Sequence, residues 1–262
     1  MLSPRVLILA GGLSHEREVS LRSGSRVAEA LRESGCEVTV RDVDDQLLDT
    51  LRSGHVDVVW PLLHGVSGED GAVRDVLELV GVPYVAPTRP PVGCPGTSRW
   101  LKAWCRRSNS LPAVRRPTPR HLPGARCEPS AQLHRRPAWP APGGQAARGG
   151  SALGASAVRE ASALPRAMVD CFAYGDVAMV EQQVAGVEVS VTVLDTGSGP
   201  VALPPVEIVP DSGLYDYDAR YVAGATEFFC PARLSDETLE AVKAAALAAH
   251  KVFGLRHVSR TD

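Results

Sequence analysis

Aromatic residues are scarce in this chain, at 5% of its 262 positions, and methionine occurs three times. No run of about 18 apolar residues exists, which excludes a helical membrane span. The one apolar stretch near the N-terminus, Val6 to Ala10, is too short for a secretory leader and runs straight into glycines. The chain is therefore read as cytoplasmic. Six cysteines (Cys36, Cys94, Cys105, Cys127, Cys171, Cys230) form no CxxC pair, so reduced thiols are expected in place of a disulfide framework or a zinc site. A formal charge of −2 gives no overall pull toward nucleic acid or an acidic membrane. What remains is 44% hydrophobic residues, sufficient for one large domain or two modest ones.

The deepest local absence lies between residues 89 and 150. That segment lacks Ile, Phe, Tyr, Met and Asp, and has a single acidic residue, Glu128. It holds 11 Pro, 11 Arg and one Lys, so its charge is 12 − 1 = +11, against 16 − 29 = −13 elsewhere. No helical or strand period persists there. A GC-rich gene translated out of frame yields such a mixture, and a frame lost near Thr88 and regained near Arg148 is the expectation. A genuine basic arm for nucleic acid is the rival, but lysines and helical spacing are missing, so no such partner is expected.

On either side the pattern is that of an α/β protein. Val6 to Ala10 reads as a strand covered on both faces. A helix follows from about Arg17 to Ser34, then a strand from Glu37 to Val43, at the spacing of a parallel crossover unit. Asp57 to Leu63 is a third strand. Val73, Val76, Leu77 and Val80 define a helix closed by Gly81, and Val82 to Val85 a fourth strand. After residue 150, strands are expected at Val177–Val180, Glu188–Leu194 and Pro204–Val209. A helix from Asp236 to Phe253 has Ser235 as its N-cap, and a strand begins within Leu255–Asp262. Three zones result: 1–88, 89–150 and 151–262.

Several loops carry chemistry. Gly11 to Ser20 joins a strand to a helix, and is either an anion site at the helix N-terminus or a plain turn whose Glu16 and Glu18 offset the helix dipole. His64-Gly-Val-Ser-Gly-Glu-Asp-Gly71 follows the third strand at the carboxyl end of a parallel sheet, where ligands tend to sit; the alternative is a surface loop with Asp70 as N-cap. Gly149-Gly150-Ser151-Ala152-Leu153-Gly154 could cover phosphates or act as a linker. Three tyrosines fall in Tyr215-Asp-Tyr-Asp-Ala-Arg-Tyr221, either a functional loop or an interaction surface. Glu181 and Glu188 flank a turn at Ala185-Gly186, and on their own read as solvated carboxylates.

Taken together these segments resemble the D-alanine–D-alanine ligases of the ATP-grasp superfamily. The opening GG..S.E.EVSL, the His64–Gly71 stretch followed by Leu77-Glu78-Leu79 and Gly81-Val-Pro-Tyr84, Val180-Glu181 with Gly186-Val-Glu188-Val, the Tyr215–Tyr221 loop and Glu227-Phe-Phe-Cys-Pro231 carry the likeness. It implies a preATP-grasp (Rossmann-like) N-terminal domain, 1–88, and an incomplete ATP-grasp domain, 151–262. It further implies joining of two D-alanines at the expense of ATP with Mg²⁺ or Mn²⁺, for peptidoglycan, in a family that tends to form homodimers. By the same resemblance Glu16 holds the ammonium of the first D-alanine, and Glu16, Ser151 and Tyr221 form a hydrogen-bonded triad. His64 and Glu69 lie on the substrate side. Gly150, Glu181, Glu188 and Arg220 lie on the ATP side, with Arg220 where the family has a lysine. Arg260 meets the oxyanion and Asp262 is a metal ligand. Tyr221 matches the dipeptide-forming rather than the ester-forming ligases.

Two departures set a further expectation. The family's lysine before the glycine-rich loop falls at Gln145, and Lys102 stands among Trp and Arg, out of context for the other. The family also continues past Asp262 with a Glu and an Asn that complete its Mg²⁺ sites; a single carboxylate makes a weak one. Little or no ligase activity is therefore expected. The alternatives are a non-catalytic remnant or dimerisation module, or a nucleotide-binding α/β protein unrelated to ligases.

Overall fold

The computed structural model of the chain describes residues 3–86, 142–146, 150–175, 178–182 and 185–262, with the side chains of 66, 67, 142–146, 179, 181 and 182 left aside. Its first unit is a three-stranded parallel sheet. Strand β1 (Arg5–Leu9) lies between β2 (Glu37–Arg41) and β3 (Val58–Pro61). Leu7 pairs with Thr39 on one side and Val59 on the other.

The apolar run of β1 divides by period two between two cores. Leu7 and Leu9 face Leu47, Leu51, Val59, Leu77 and Tyr84. Val6, Ile8 and Ala10 face Ala28, with Leu21, Val27 and Leu31 around them. The second set belongs to α1 (Arg17–Glu33), the first to α2 (Leu47–Arg52) and α4 (Ala72–Val80), so helices cover both faces. Each fully buried side chain of β1 contributes about 1.5–3 kcal/mol of transfer free energy. Gly24 lets α1 approach closely, since a Cβ there would lie 2.5 Å from the Cβ of Ala10.

Some boundaries differ from the sequence reading. The expected strand Val82–Val85 shrinks to one parallel bridge, Val59 to Tyr84. Pro83 has no N–H to extend a ladder; its carbonyl accepts from Val59 and Val85 donates back to Val59, both at 2.8 Å. Strand β2 stops at Arg41 because Asp42 turns its carboxylate to the amide of Gly12, 2.7 Å away. The loop after β3 contains a short helix, α3 (Val66–Glu69), and Gly71 rather than Asp70 is the N-cap of α4. Asp70 instead accepts from the amide of Ala72 at 2.9 Å. The helix α2 had no counterpart in the sequence reading, being too short for a periodic signal.

The C-terminal unit holds two sheets. Strand β4 (Pro142–Ala146) pairs antiparallel with β5 (Ser156–Ala157) and β6 (Ala178–Gln182). Strands β7 (Glu188–Leu194), β8 (Val201–Ala202), β9 (Val206–Pro210), β10 (Thr226–Phe229) and β11 (Val258–Thr261) form an antiparallel sheet ordered β10-β9-β7-β11, with β8 on β7. Helix α5 (Leu164–Phe172) follows a 3₁₀ turn, and α6 (Tyr217–Tyr221) sits in the tyrosine loop with Asp216 capping Ala219. Helix α7 (Asp236–Val252) begins at Ser235, whose hydroxyl accepts from the Thr238 amide, and packs Ala246 against Val191 and Val193 of β7. Strand β6 was read at Val177–Val180; Val177 lies outside the described residues. Most of the segment 89–150, including Lys102 and Gly149, lies outside them as well. Cys36, Cys171 and Cys230 are free thiols, and among the described residues no helix is long and apolar enough to cross a membrane.

Candidate functional site

The carboxyl ends of β1 and β3 are laced together by serines of α1 and the loop before it. Ser20 accepts from the Gly11 amide at 2.8 Å and donates to the Leu62 carbonyl at 2.7 Å. Ser14 donates to the His64 carbonyl at 2.6 Å and accepts from the Glu16 amide at 3.2 Å. The His64 ring meets Ser23 through Nε2 at 3.3 Å. These serines were not singled out as anchors from the sequence; their one signal is a small polar residue on the inner face of an amphipathic helix. Burial lowers the His64 pKa, partly opposed by the charge of Glu16. The ring therefore stays neutral further into acid than a free histidine.

Glu16 is 3% exposed. Its carboxylate takes a hydrogen bond from the Ser151 hydroxyl and another from the Gly150 amide at 3.2 Å. Ser151 Oγ also lies 2.9 Å from Tyr221 Oη. Three segments far apart in sequence thus meet on one carboxylate. The fit is close: a Cβ on Gly65 would sit 2.7 Å from Glu16 Oε2, and one on Gly150 3.0 Å from Oε1. Gly65 has φ 79°, so its lack of a side chain serves both conformation and space. Ser151 and Ala152 hold left-handed backbone at φ 56° and 55°. A non-glycine residue pays about 1–2 kcal/mol for that conformation.

Glu69 joins the same pocket. Its Oε1 accepts from the Gly65 amide at 3.3 Å. Burial raises its pKa, and Glu16 raises it further, against that amide and Arg74. Tyr174, after α5, meets the ring of His15 edge-on at 5.5 Å, a second contact between the two units.

A second group gathers around Glu188 at the start of β7. Burial raises its pKa; Arg220 lowers it, Asp262 raises it and Arg260 lowers it. Those four side chains, from three separate elements, therefore share one electrostatic neighbourhood. Arg220 donates through Nε to the Tyr215 carbonyl at 3.3 Å and stacks 4.1 Å from the Tyr215 ring centroid. Arg260 donates to Asp262 at 2.8 Å. Arg260 and Asp262 extend from β11, which is registered on β7 with Arg260 opposite Thr192. Glu181 lies on β6, its backbone opposite Gly143; its side chain is not described. Gln145, on β4, stands opposite Met179.

The structure thus brings the predicted residues into two groups: Glu16, His64, Glu69, Gly150, Ser151 and Tyr221 in one, Glu188, Arg220, Arg260 and Asp262 in the other. Arg220 and Tyr221 are adjacent on α6, where the groups adjoin. Among the described residues no three His, Cys, Asp or Glu side chains cluster as a metal site.

A family model described as D-ala D-ala ligase C-terminus matches residues 126–262, and one described as D-ala D-ala ligase N-terminus matches residues 45–87. The chain is 39% identical over 259 residues to D-alanine–D-alanine ligase of Anaeromyxobacter dehalogenans, covering 98% of this chain and 81% of that protein. It is 32% identical over 263 residues to the enzyme of that name from Fervidobacterium nodosum, covering 97% and 83%. Among solved structures, D-alanyl-alanine synthetase A from Vibrio cholerae superposes with a TM-score of 0.77 at 22% identity, over 99% of this chain and 84% of that one. D-alanine–D-alanine ligase from Bacillus anthracis, complexed with ATP, gives 0.74 at 20% identity, over 98% and 80%.

Proposed function

Because this chain belongs to the D-alanine–D-alanine ligase family, we propose that its site binds D-alanine and joins two molecules of it, with ATP, into the dipeptide of peptidoglycan precursors. The observation that carries this reading is the hydrogen-bonded chain Glu16–Ser151–Tyr221. It surrounds a buried carboxylate that has no ion-pair partner among the described residues. A buried carboxylate without a cation is costly. An amino acid's ammonium is the cation that offsets the cost.

In the reaction the first D-alanine's carboxylate attacks the γ-phosphorus of ATP, and ADP leaves. The amine of the second D-alanine adds to the resulting acyl phosphate, and the tetrahedral intermediate expels phosphate. Glu16 holds the first ammonium, with His64 and Glu69 beside it and neutral His64 able to exchange a proton. Ser151 and Tyr221 close the tyrosine loop over Glu16. Arg260 faces the oxyanion of the tetrahedral intermediate, and Arg220 the transferred phosphoryl group. Glu188, and Glu181 by its place on β6, take the nucleotide side, next to the turn at Gly150.

The family uses ATP with Mg²⁺, which supplies charge neutralisation for the phosphates. The described residues do not fit such an ion well. Asp262 is the one carboxylate offered by β11, it already accepts from Arg260, and no third ligand adjoins it. With Gln145 at the position of a family lysine, the ATP side is the weaker half, and turnover is slow or absent. The composition of 89–150 fits an out-of-frame segment between the units 1–88 and 151–262. The protein acts in the cytoplasm, in cell wall biogenesis and cell shape, in a family that tends to form homodimers, and without nucleic acid or membrane partners.

Purified protein tests this directly. D-alanine is expected to raise the thermal midpoint, and D-alanine-dependent phosphate release from ATP to fall well below the ~10 s⁻¹ typical of enzymes. If D-alanine neither shifts the midpoint nor stimulates release, the reading is wrong.

A further inference from the structure

Strand β11 carries Arg260 and Asp262, and both side chains are largely exposed, so they have little packing of their own to hold them. Their position is that of the strand's backbone. Two kinds of contact fix where that strand begins. Within the C-terminal unit, the His257 carbonyl accepts from Asp195 at 2.6 Å and buried His250 meets Ser259 at 2.8 Å. The other contact crosses to the N-terminal unit. Arg256 donates through Nε to the carbonyl of Ala86 at 2.7 Å, a separation of 170 residues. Its guanidinium also lies 4.7 Å from the ring centroid of Tyr84. Tyr84 cannot swing aside. It is buried, its hydroxyl donates to Glu78 at 2.6 Å, and its backbone is bridged to Val59 of β3.

We propose that Arg256 is a positioning residue: it fixes β11, and with it Arg260 and Asp262, against the N-terminal unit that holds Glu16 and His64. The inference rests on the ligase reading for its effect on turnover, but the mechanical link stands on its own geometry. A planar guanidinium suits the place, since it stacks on a ring while donating in its own plane. A lysine ammonium can donate to Ala86 but stacks less well. The contact is with Ala86 and Tyr84, neither of which belongs to the group around Glu16, so the role assigned to Arg256 is positioning and not substrate contact.

The test compares Arg256→Met and Arg256→Lys with the full-length parent. Misplacing reacting groups by about 1 Å costs on the order of 100-fold. Phosphate release at saturating ATP and D-alanine is expected to fall at least about tenfold in Arg256→Met. The KM for D-alanine should stay within roughly threefold, and Arg256→Lys should recover part of the loss. Where the parent turns over, unchanged turnover, or a loss shared equally by both variants, overturns the proposal. Hydrogen exchange without ligands reads the link independently of activity. The peptide covering 255–262 should exchange about tenfold faster in Arg256→Met, while the α1 peptide is unchanged. Equal exchange of 255–262 in parent and variant overturns the link whatever the activity. A parent that neither gains thermal stability from D-alanine nor releases phosphate, with a variant whose β11 exchanges faster, removes the ligase reading and leaves the link standing.

Discussion

Among the described residues Glu16 has two neutral donors and no cation on its carboxylate, although it is nearly inaccessible to water. Hydrogen bonds to a charged group contribute about 1.5–3 kcal/mol each. Glu16→Gln keeps the shape and removes the charge, so D-alanine should bind at least about tenfold more weakly while the fold persists. Calorimetric titration of parent and variant measures this, and equal affinities would sink the ammonium assignment. Elsewhere, Glu207 is held by the side chain and amide of Arg233, with Nη2 2.8 Å from Oε1, and its pKa falls to about 2. In the unfolded chain the same carboxyl titrates in the ordinary range. The fold thus gains from this pair above that range and loses the gain as pH falls toward about 2. Urea midpoints should separate parent from Glu207→Gln near neutral pH and converge in acid. A constant separation would show that the carboxylate's charge is not what matters.

At the scale of elements, α1 depends on Gly24 to lie close on β1. Glycine costs a helix about 1 kcal/mol relative to alanine, so substitution would stabilise an isolated helix. Here Gly24→Val forces atoms onto Ala10, and net destabilisation of about 1–3 kcal/mol is expected. Denaturant unfolding checks the sign. Strand β4 offers the opposite experiment. Gln145→Lys places a cation on the β4–β6 pair next to the glycine-rich turn and should tighten ATP binding, read with a fluorescent nucleotide. No change in affinity would mean that position 145 does not face the phosphates. These elements also show what could be read from the chain alone. The continuous apolar run of β1 and the i, i+3, i+4, i+7 face of α4 from Val73 to Val80 were legible because each carries an uninterrupted local pattern. Short α2 and α3 were not, since a helix of four to six residues shows less than two turns of period. The end of β2 was lost because it depends on Asp42 reaching Gly12, a contact between residues 30 apart. In the site, glycine spacing marked the Glu16, His64 and Glu69 loops. Ser14, Ser20 and Arg256 carry no such mark, because their hydrogen-bond partners are backbone groups that any sequence supplies.

At the scale of the whole molecule, the described residues tie the halves together where Glu16 meets Gly150 and Ser151, beside the His15–Tyr174 ring contact, and where Arg256 meets Ala86 and Tyr84. Residues in one hydrogen-bonded network couple by about 0.5–3 kcal/mol. A double-mutant cycle of Glu16→Gln with Ser151→Ala should therefore be non-additive in D-alanine affinity. Ser151→Ala with Arg256→Met, which share no partner, should be additive in stability. Additivity in the first pair would mean that the loop closes without Glu16.

The sheet of the first unit is complete once Pro61 has been made, whereas Ser151 follows Glu16 by 135 residues. At about 5–20 residues per second on the ribosome, that interval is on the order of ten seconds. Sheet formation takes far less time. During synthesis the Glu16 carboxylate therefore waits for its Gly150 and Ser151 donors until the glycine-rich turn arrives. Desolvation of that charge falls on docking rather than on the folding of either half, so on the proposed ammonium role of Glu16 docking is the step that D-alanine should favour most.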